Sequence, residues 1–480
     1  MIRKLLFLFI PLVAVLAIRT FKRYSPGKVA KVSSIDLDTI RKRGKLIAVT
    51  DFNSIDYFIY KGEPMGFNYE LLKSFSDFAG IDLEIIAENN IERAVGMVQS
   101  GEADLLAFGL TAGSPEKEEI VLTSPVDKTR QVLVQRKPLN WRKLTGTSTD
   151  MMLIKSQEEL AQKIVYVQEK SSYSVRLAEL EKEIRAKVNI VQVPFEPEKL
   201  IKLVASGEID YTVCDENVAI VNSTYYPDLD VSTPVSLSQD LAWGVRKENS
   251  QKLLEELNRW VSVYRNTSSY SLLHAKYFRN SRSSLIVKSD YYALNTGRVS
   301  RYDDLIREFS SNINWDWRLL ASLICQESQF RPDVTSVAGA YGLMQIMPVT
   351  GRNFGIDITA SPKNNIKAGI LLISWLDELF ESRVPDPQER LFFILASYNA
   401  GPGHVLDAMR LAEKNGVDPQ KWDGNVAVWL LKKSQPQYYN DSVVRNGYFK
   451  GKESVKFVGE VLDRFEHYKN IIPLEKNDTF

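Results

Sequence analysis

The phrase VQSGEADLLAFG around Gly101 returns, slightly altered, as VASGEIDYTVCD around Gly207. In each copy an amphipathic stretch runs into Ser-Gly-Glu and then into aliphatic and β-branched residues, the pattern of a helix stopped by glycine and followed by a buried strand. The flanking sequence keeps this rhythm. Strands are expected at Lys45 to Thr50, Leu83 to Ala87 and Ala103 to Gly109, with helices at Tyr69 to Ala79 and Ile91 to Ser100. The second copy repeats the order, with strands at Ile164 to Gln168, Asn189 to Val193 and Ile209 to Cys214 and helices at Tyr173 to Lys187 and Glu198 to Ser206. Alternation of this kind implies α/β units on a mostly parallel sheet. Its duplication makes residues 34–264 two lobes facing each other across a ligand cleft.

Those lobes do not exhaust the chain. A single core stops growing at roughly 250 to 300 residues, and the sequence has 480. From Tyr302 onward the periodicity becomes helical, with helices expected over Asp303 to Phe309, Trp315 to Gln326, Ile366 to Glu381, Gln388 to Tyr398 and Val455 to His467. Residues 301–472 read as a separate all-α domain. Residues 265–300, rich in Ser, Asn, Tyr and Arg, read as a linker with room for one helix.

Ahead of both domains, Arg3 and Lys4 precede an apolar run from Leu5 to Ile18, and Arg19, Lys22 and Arg23 follow it. The run is short of the roughly 20 residues that cross a bilayer core. Residues 1–24 are therefore either a signal peptide, with Val15 and Ala17 small enough for cleavage after Ala17, or a retained N-terminal membrane anchor. Elsewhere 61 basic residues balance 60 acidic ones, so no long-range field draws in a polyanion, and nucleic acid is excluded as a partner. Cys214 and Cys325 fall in different domains and read as buried free thiols. His274, His404 and His467 lack metal-ligand spacing, so no metal is expected.

The chemistry concentrates in QESQFRPDVTSVAGAYGLMQIMP, Gln326 to Pro348. On a helix ending at Glu327, Leu320, Leu323, Ile324 and Glu327 share one face, because seven residues make nearly two turns. A carboxyl on the apolar face at a helix end has its pKa raised above the reference of about 4.3 by burial, which is what a proton donor needs near neutral pH. The alternative is a Glu turned aside into a salt bridge or a cap. Gly339, Ala340 and Gly342 allow close backbone approach to a bulky substrate. Ser336 offers a hydroxyl, Gln345 a donor and an acceptor for sugar hydroxyl and acetamide groups, and Met347 an apolar surface for a sugar face. A second cluster, ASYNAGPG at Ala396 to Gly403, sets Tyr398 and Asn399 at a helix end, either to reach across a cleft or to close the helix.

These phrases resemble two known families. RGKLIAVT near Gly44, GEPMGFNYELLKSF near Gly66, SGEADLLAFGLT near Gly101 and TSPV at Thr123 to Val126 are similar, in order and spacing, to the type 3 periplasmic solute-binding domain of the amino-acid-binding kind. That resemblance implies that Asp215 holds a ligand ammonium, where the residue alone reads equally as a strand-end cap. It also sets TAGSPEK, Thr111 to Lys117, where the family carries a carboxylate-binding Arg. Lys117 replaces a bidentate fork by a point charge, which leaves a wall peptide, another small solute or no ligand as the occupant. The run ES(x8)S(x2)GA(x)GLMQIMP from Glu327, with YNAG at Tyr398 to Gly401, resembles the family 1 lytic transglycosylase domain, which has a goose-type-lysozyme-like fold. ESVKFV at Glu453 to Val458 stands where that family carries ET(x3)YV, so Phe457 lacks a hydroxyl for substrate. HAKYFRN, His274 to Asn280, is similar to the join of a fused transglycosylase of this kind.

Together the resemblances imply a multidomain chain, a bilobal α/β periplasmic-binding-protein-like domain followed by an all-α lysozyme-like (goose-type) domain. They imply a periplasmic, membrane-associated peptidoglycan lytic transglycosylase, at the inner face of the outer membrane, that needs no cofactor. Its partners would be glycan strands and, in the N-terminal domain, a small-molecule or muropeptide ligand. Glu327 would be its only catalytic acid/base and yield 1,6-anhydro ends, with Ser336, Gln345, Met347, Tyr398 and Asn399 binding glycan. Two alternatives stand beside this. One is a lysozyme-like hydrolase using Asp333 as the second carboxylate, and the other is a glycan or solute sensor without catalysis.

Overall fold

The structure, a computed structural model, describes residues 36–111, 113–144, 146–278, 289, 291–472 and 474. The apolar segment at residues 1–24 lies outside them. Strands β1 (Lys45–Thr50), β2 (Phe58–Tyr60), β3 (Glu63–Met65), β4 (Asp82–Ala87), β5 (Leu105–Leu110), β6 (Ile120–Leu122) and β7 (Asp127–Thr129) come first in the chain. The second lobe holds β8 (Gln131–Arg136), β9 (Ile164–Gln168), β10 (Asn189–Val193), β11 (Tyr211–Asp215) and β12 (Leu229–Pro234), and β13 (Gln239–Arg246) returns to the first. The sheets order as β4-β1-β5-β13-β6 and β10-β9-β11-β8-β12.

The duplicated unit supplies three of the six strands of the first sheet and three of the five of the second. β1, β4 and β5 occupy the same relative places as β9, β10 and β11, parallel throughout. Gly101 and Gly207 end the preceding helices in left-handed conformation, at φ 84° and 88°, which a side chain would strain. The sheets are nevertheless mixed, where a mostly parallel one was expected. β13 runs antiparallel to β5 and β6, and β8 antiparallel to β11 and β12. The chain passes between lobes twice, from β7 to β8 and from β12 to β13, and β7 pairs with β13 at the crossing. Two adjacent crossing strands are the construction of a hinge.

The stretch expected as a linker is partly built into the first lobe. Helix Ser268–Phe278 carries Tyr270, His274, Tyr277 and Phe278 on one side, and their rings pack edge-on against Phe67, the Phe278 centroid at 4.9 Å.

In the helical domain, helix Trp317–Ser328 is buried at every residue from Trp317 to Cys325. The last helix, Gly451–Ile471, packs against it and reaches the first lobe. Its Tyr468 hydroxyl donates to Gly62 O at 2.7 Å, and Asn470 donates to Ile85 O at 2.6 Å. Arg464 reaches Glu63 at 3.2 and 3.3 Å, and the Tyr57 hydroxyl meets His467 Nδ1 at 2.6 Å. The turn of the β2–β3 hairpin therefore presses on the back of helix Trp317–Ser328. Gly62 has φ 81°, and a Cβ there would stand 2.6 Å from the Phe330 ring, 2.6 Å from the Tyr468 hydroxyl and 2.9 Å from Cys325 Sγ. Gly62→Ala should lower stability by about 1–3 kcal/mol through backbone strain and overpacking. Urea unfolding checks this, and an unchanged midpoint would mean that the hairpin is not held against the helix.

Candidate functional site

Helix Trp317–Ser328 starts on Asp316, whose side chain accepts from the Arg318 N–H at 2.9 Å. It stops at Gln329 and Phe330, both left-handed, at φ 51° and 58°. Glu327 thus occupies the last turn, and the chain bends sharply after it. Burial alone pushes the Glu327 carboxyl up to about 8; no hydrogen bond and no neighbouring cation counts among the causes. The expectation of an acid held on the apolar side of the helix end is met. Arg464, a cation from the last helix, is engaged with Glu63 and, at 2.9 Å, with the side chain of Gln326.

The loop after the helix satisfies its own polar groups. Ser336 N–H donates to Ala340 O at 2.8 Å, and Ala340 N–H donates to Ser336 Oγ at 3.0 Å. Gln345 Nε2 donates to Gly342 O at 2.8 Å and to Val334 O at 3.1 Å. Ser336 Oγ and the Gln345 amide nitrogen thus brace the loop, while the Ser336 hydroxyl proton and Gln345 Oε1 are not used in these bonds. Short irregular segments need such bonds because their backbone has no ladder to join. Gly342 likewise serves the interior. At φ 82° it lies where a Cβ would collide with the Asn365 amide, so its size fits the fold rather than a substrate.

Asn365, which sequence reasoning did not single out, fastens the loop. It is 1% exposed, accepts from Met344 N–H at 2.8 Å and donates to Tyr341 O at 2.8 Å. Its one sequence signal is an amide, next to Asn364, in the first turn of helix Pro362–Glu381, just after the Ser361 cap. Tyr398 adds a second fastening, donating to Met344 O at 2.6 Å. It lies close enough for the Glu327 charge to help raise its phenol pKa, after burial itself. Met347 is 39% exposed at the start of helix Pro348–Asn353. Asn399 is exposed, its Oδ1 accepting from Ser454 Oγ at 2.6 Å. Phe457 is buried in the core, and Asp333 is exposed in its turn, with the Tyr341 hydroxyl at 3.4 Å.

The second candidate site is the cleft between the lobes, about 880 Å³, which Asp215 lines from the end of β11. Asp215 accepts from the Tyr173 hydroxyl at 3.1 Å and does not cap the following helix. Burial pushes its carboxyl up to about 6. Thr111 is buried with its N–H donating to Ser114 Oγ at 3.0 Å, and it is Ser114 that lines the cleft. The Lys117 side chain lies outside the described residues. Cys214 and Cys325 are free and buried.

A bilobal α/β unit with a cleft between its lobes is joined to a helical domain in which a desolvated glutamate ends a buried helix. The bacterial extracellular solute-binding proteins, family 3, match residues 46–280, and the transglycosylase SLT domain matches residues 304–420. The chain is 31% identical over 432 residues to a membrane-bound lytic murein transglycosylase F of Desulfosudis oleivorans, covering 90% of this chain and 91% of that one. A Pseudomonas fluorescens protein of the same name is 29% identical, covering 88% and 85%. Among solved structures, an ancestral arginine-binding protein bound to arginine overlaps 49% of this chain and 99% of its own, at TM-score 0.41 and 22% identity. The chain belongs to the membrane-bound lytic murein transglycosylase F family, and it is a lytic transglycosylase of peptidoglycan with a solute-binding-protein-like domain.

Asn365→Ala should unfasten the loop beside Glu327, at a stability cost of about 1–3 kcal/mol for the stranded Tyr341 and Met344 backbone groups, and lower turnover on sacculi. Thermal melts and turnover check both, and a variant unchanged in each would mean that Asn365 does not hold the loop.

Proposed function

We propose that Glu327 is the single acid/base of the reaction and that cleavage leaves 1,6-anhydro-N-acetylmuramic acid ends. The observation that carries this is the Glu327 carboxyl, buried at a helix end with a pKa raised to about 8 by that burial, so that it holds a proton at neutral pH. Glu327 gives that proton to the oxygen between N-acetylmuramic acid and N-acetylglucosamine. The C1–O bond breaks, and the muramic acetamide supports the positive charge at C1. The carboxylate so formed takes the proton of the sugar's own C6 hydroxyl as that oxygen bonds C1. Glu327 ends protonated, and no water enters. A tethered nucleophile has a large effective-concentration advantage over solvent. Asp333, exposed in its turn, lacks the setting of a second catalytic carboxylate, which disfavours the hydrolase reading.

Met347 and Asn399, both exposed, contact the glycan, while Ser336, Gln345 and Tyr398 hold the loop that shapes the site. Residues 1–24 carry the chain to the periplasm and associate it with the membrane, at the inner face of the outer membrane. The lobes receive a small ligand at Asp215. Closure on it is relayed by the β2–β3 hairpin, whose Gly62 lies against Cys325 and Phe330, on either side of Glu327.

Glu327→Gln should lower turnover about a hundredfold to ten-thousandfold. Mass spectrometry of parent digests should show anhydro ends, and reducing ends in their place would point to the hydrolase. Stability gives a second readout. From pH 4.5, the ordinary value, to about 8, the folded state holds a proton that the unfolded state has lost, so parent stability falls as pH rises through this window. Glu327→Gln escapes that fall. In thermal melts its advantage should be absent below pH about 4.5 and complete above about 8, and a difference independent of pH would contradict the assignment.

A further inference from the structure

Among the carboxyl groups that line the interlobe cleft are five from its two lobes and their crossing, Asp51, Asp56, Asp127, Glu198 and Asp215. What they meet is almost entirely neutral. Asn53 Nδ2 reaches Asp51 at 2.7 Å and Asp56 at 2.8 Å, and Asn68 reaches Asp56 at 2.9 Å. Glu198 accepts from the Ser54 N–H at 2.9 Å and from its hydroxyl, and Asp215 from Tyr173. Asp127 accepts from Tyr270 at 3.0 Å and Asn217 at 3.3 Å, with His274 Nε2 at 3.8 Å. Among the described residues, none of the five forms an ion pair with Lys or Arg. Asp51 Oδ1 is buried with no hydrogen-bond partner at all.

Five carboxyls gathered from both lobes without a cation repel one another and are incompletely solvated. Burial, foremost, and then neighbouring carboxylates push Asp56 up to about 7 against the pull of the Asn53 amide. Aromatic rings stand on the same walls, among them Phe52, Tyr173, Tyr225 and Tyr292. Carboxylates with aromatic faces are the chemistry that recognises organic cations. The described lining contains no arginine, and its lysines, Lys170, Lys199 and Lys202, are exposed. Lys170 is moreover paired with Glu92 at 2.8 Å. A ligand carboxylate would find no buried cation among these residues and several buried anions.

We propose that the cleft takes a linear organic dication without a carboxylate, a diamine or polyamine. Asp51, Asp56, Glu198 and Asp215 share its ammonium groups, and its methylene chain lies against the aromatic walls. This rests on the reading of the bilobal domain as a ligand receptor. A cavity of about 880 Å³ is ample for such a molecule.

The test is isothermal titration of the full-length protein with spermidine, putrescine, agmatine, L-arginine and L-leucine at neutral pH. Agmatine is arginine without its carboxylate, so that pair isolates the claim. Spermidine and agmatine should bind, agmatine at least about tenfold more tightly than L-arginine, and L-leucine should give no heat. Asp215→Asn and Asp51→Asn should each weaken spermidine about tenfold or more, while melting at the parent temperature or above it, because a repelling carboxyl is gone. L-arginine matching agmatine, or L-leucine binding, would overturn the proposal and leave the receptor reading standing. Silence from all five amines and amino acids, with no melt shift from wall peptides, would remove both.

Discussion

Burying a carboxyl with no cation beside it is costly, and the cost falls on the charged form, so the group keeps its proton. Helix Trp317–Ser328 creates this situation by running through the middle of its domain and ending at Glu327. A donor turned onto the carboxylate would stabilise the charge and release the proton. The Tyr398 hydroxyl, close enough to feel the Glu327 charge, is engaged on Met344 O.

The same helix joins the two halves of the chain. Its far side receives the β2–β3 turn at Cys325 and Phe330, while the last helix is held by Tyr468 on Gly62 and Arg464 on Glu63. The buried cluster continues from the first lobe into the helical domain without a break. Movement of the first lobe accordingly bears on the segment that positions Glu327. Packed cores shift between discrete arrangements rather than deforming smoothly, so a lobe closure has a mechanical path to the site.

Local signals made much of this legible. The Ser-Gly-Glu phrases mark left-handed helix stops at Gly101 and Gly207, and the seven-residue spacing put Glu327 on the apolar face. Long-range pairing hid the rest. β6, β7 and β12 are short or irregular, and with β8 and β13 they find partners across the lobe crossings. The helix Ser268–Phe278 packs through aromatic rings rather than an aliphatic stripe, and so read as linker. Ser336 and Gln345 carry groups that suit a sugar or a loop equally well, and their partners within the loop come from the fold rather than from local spacing. Gly342 reads from sequence as room for a substrate because its close neighbour, Asn365, lies on another element.

The proton that burial holds on Glu327 is open to direct observation. Carboxyl carbon NMR of protein labelled at glutamate, with the Glu327→Gln spectrum subtracted to identify the resonance, reads it directly. The titration should centre at about 8. A midpoint near the ordinary 4.5 would mean that Glu327 is ionised at neutral pH and is not the proton donor.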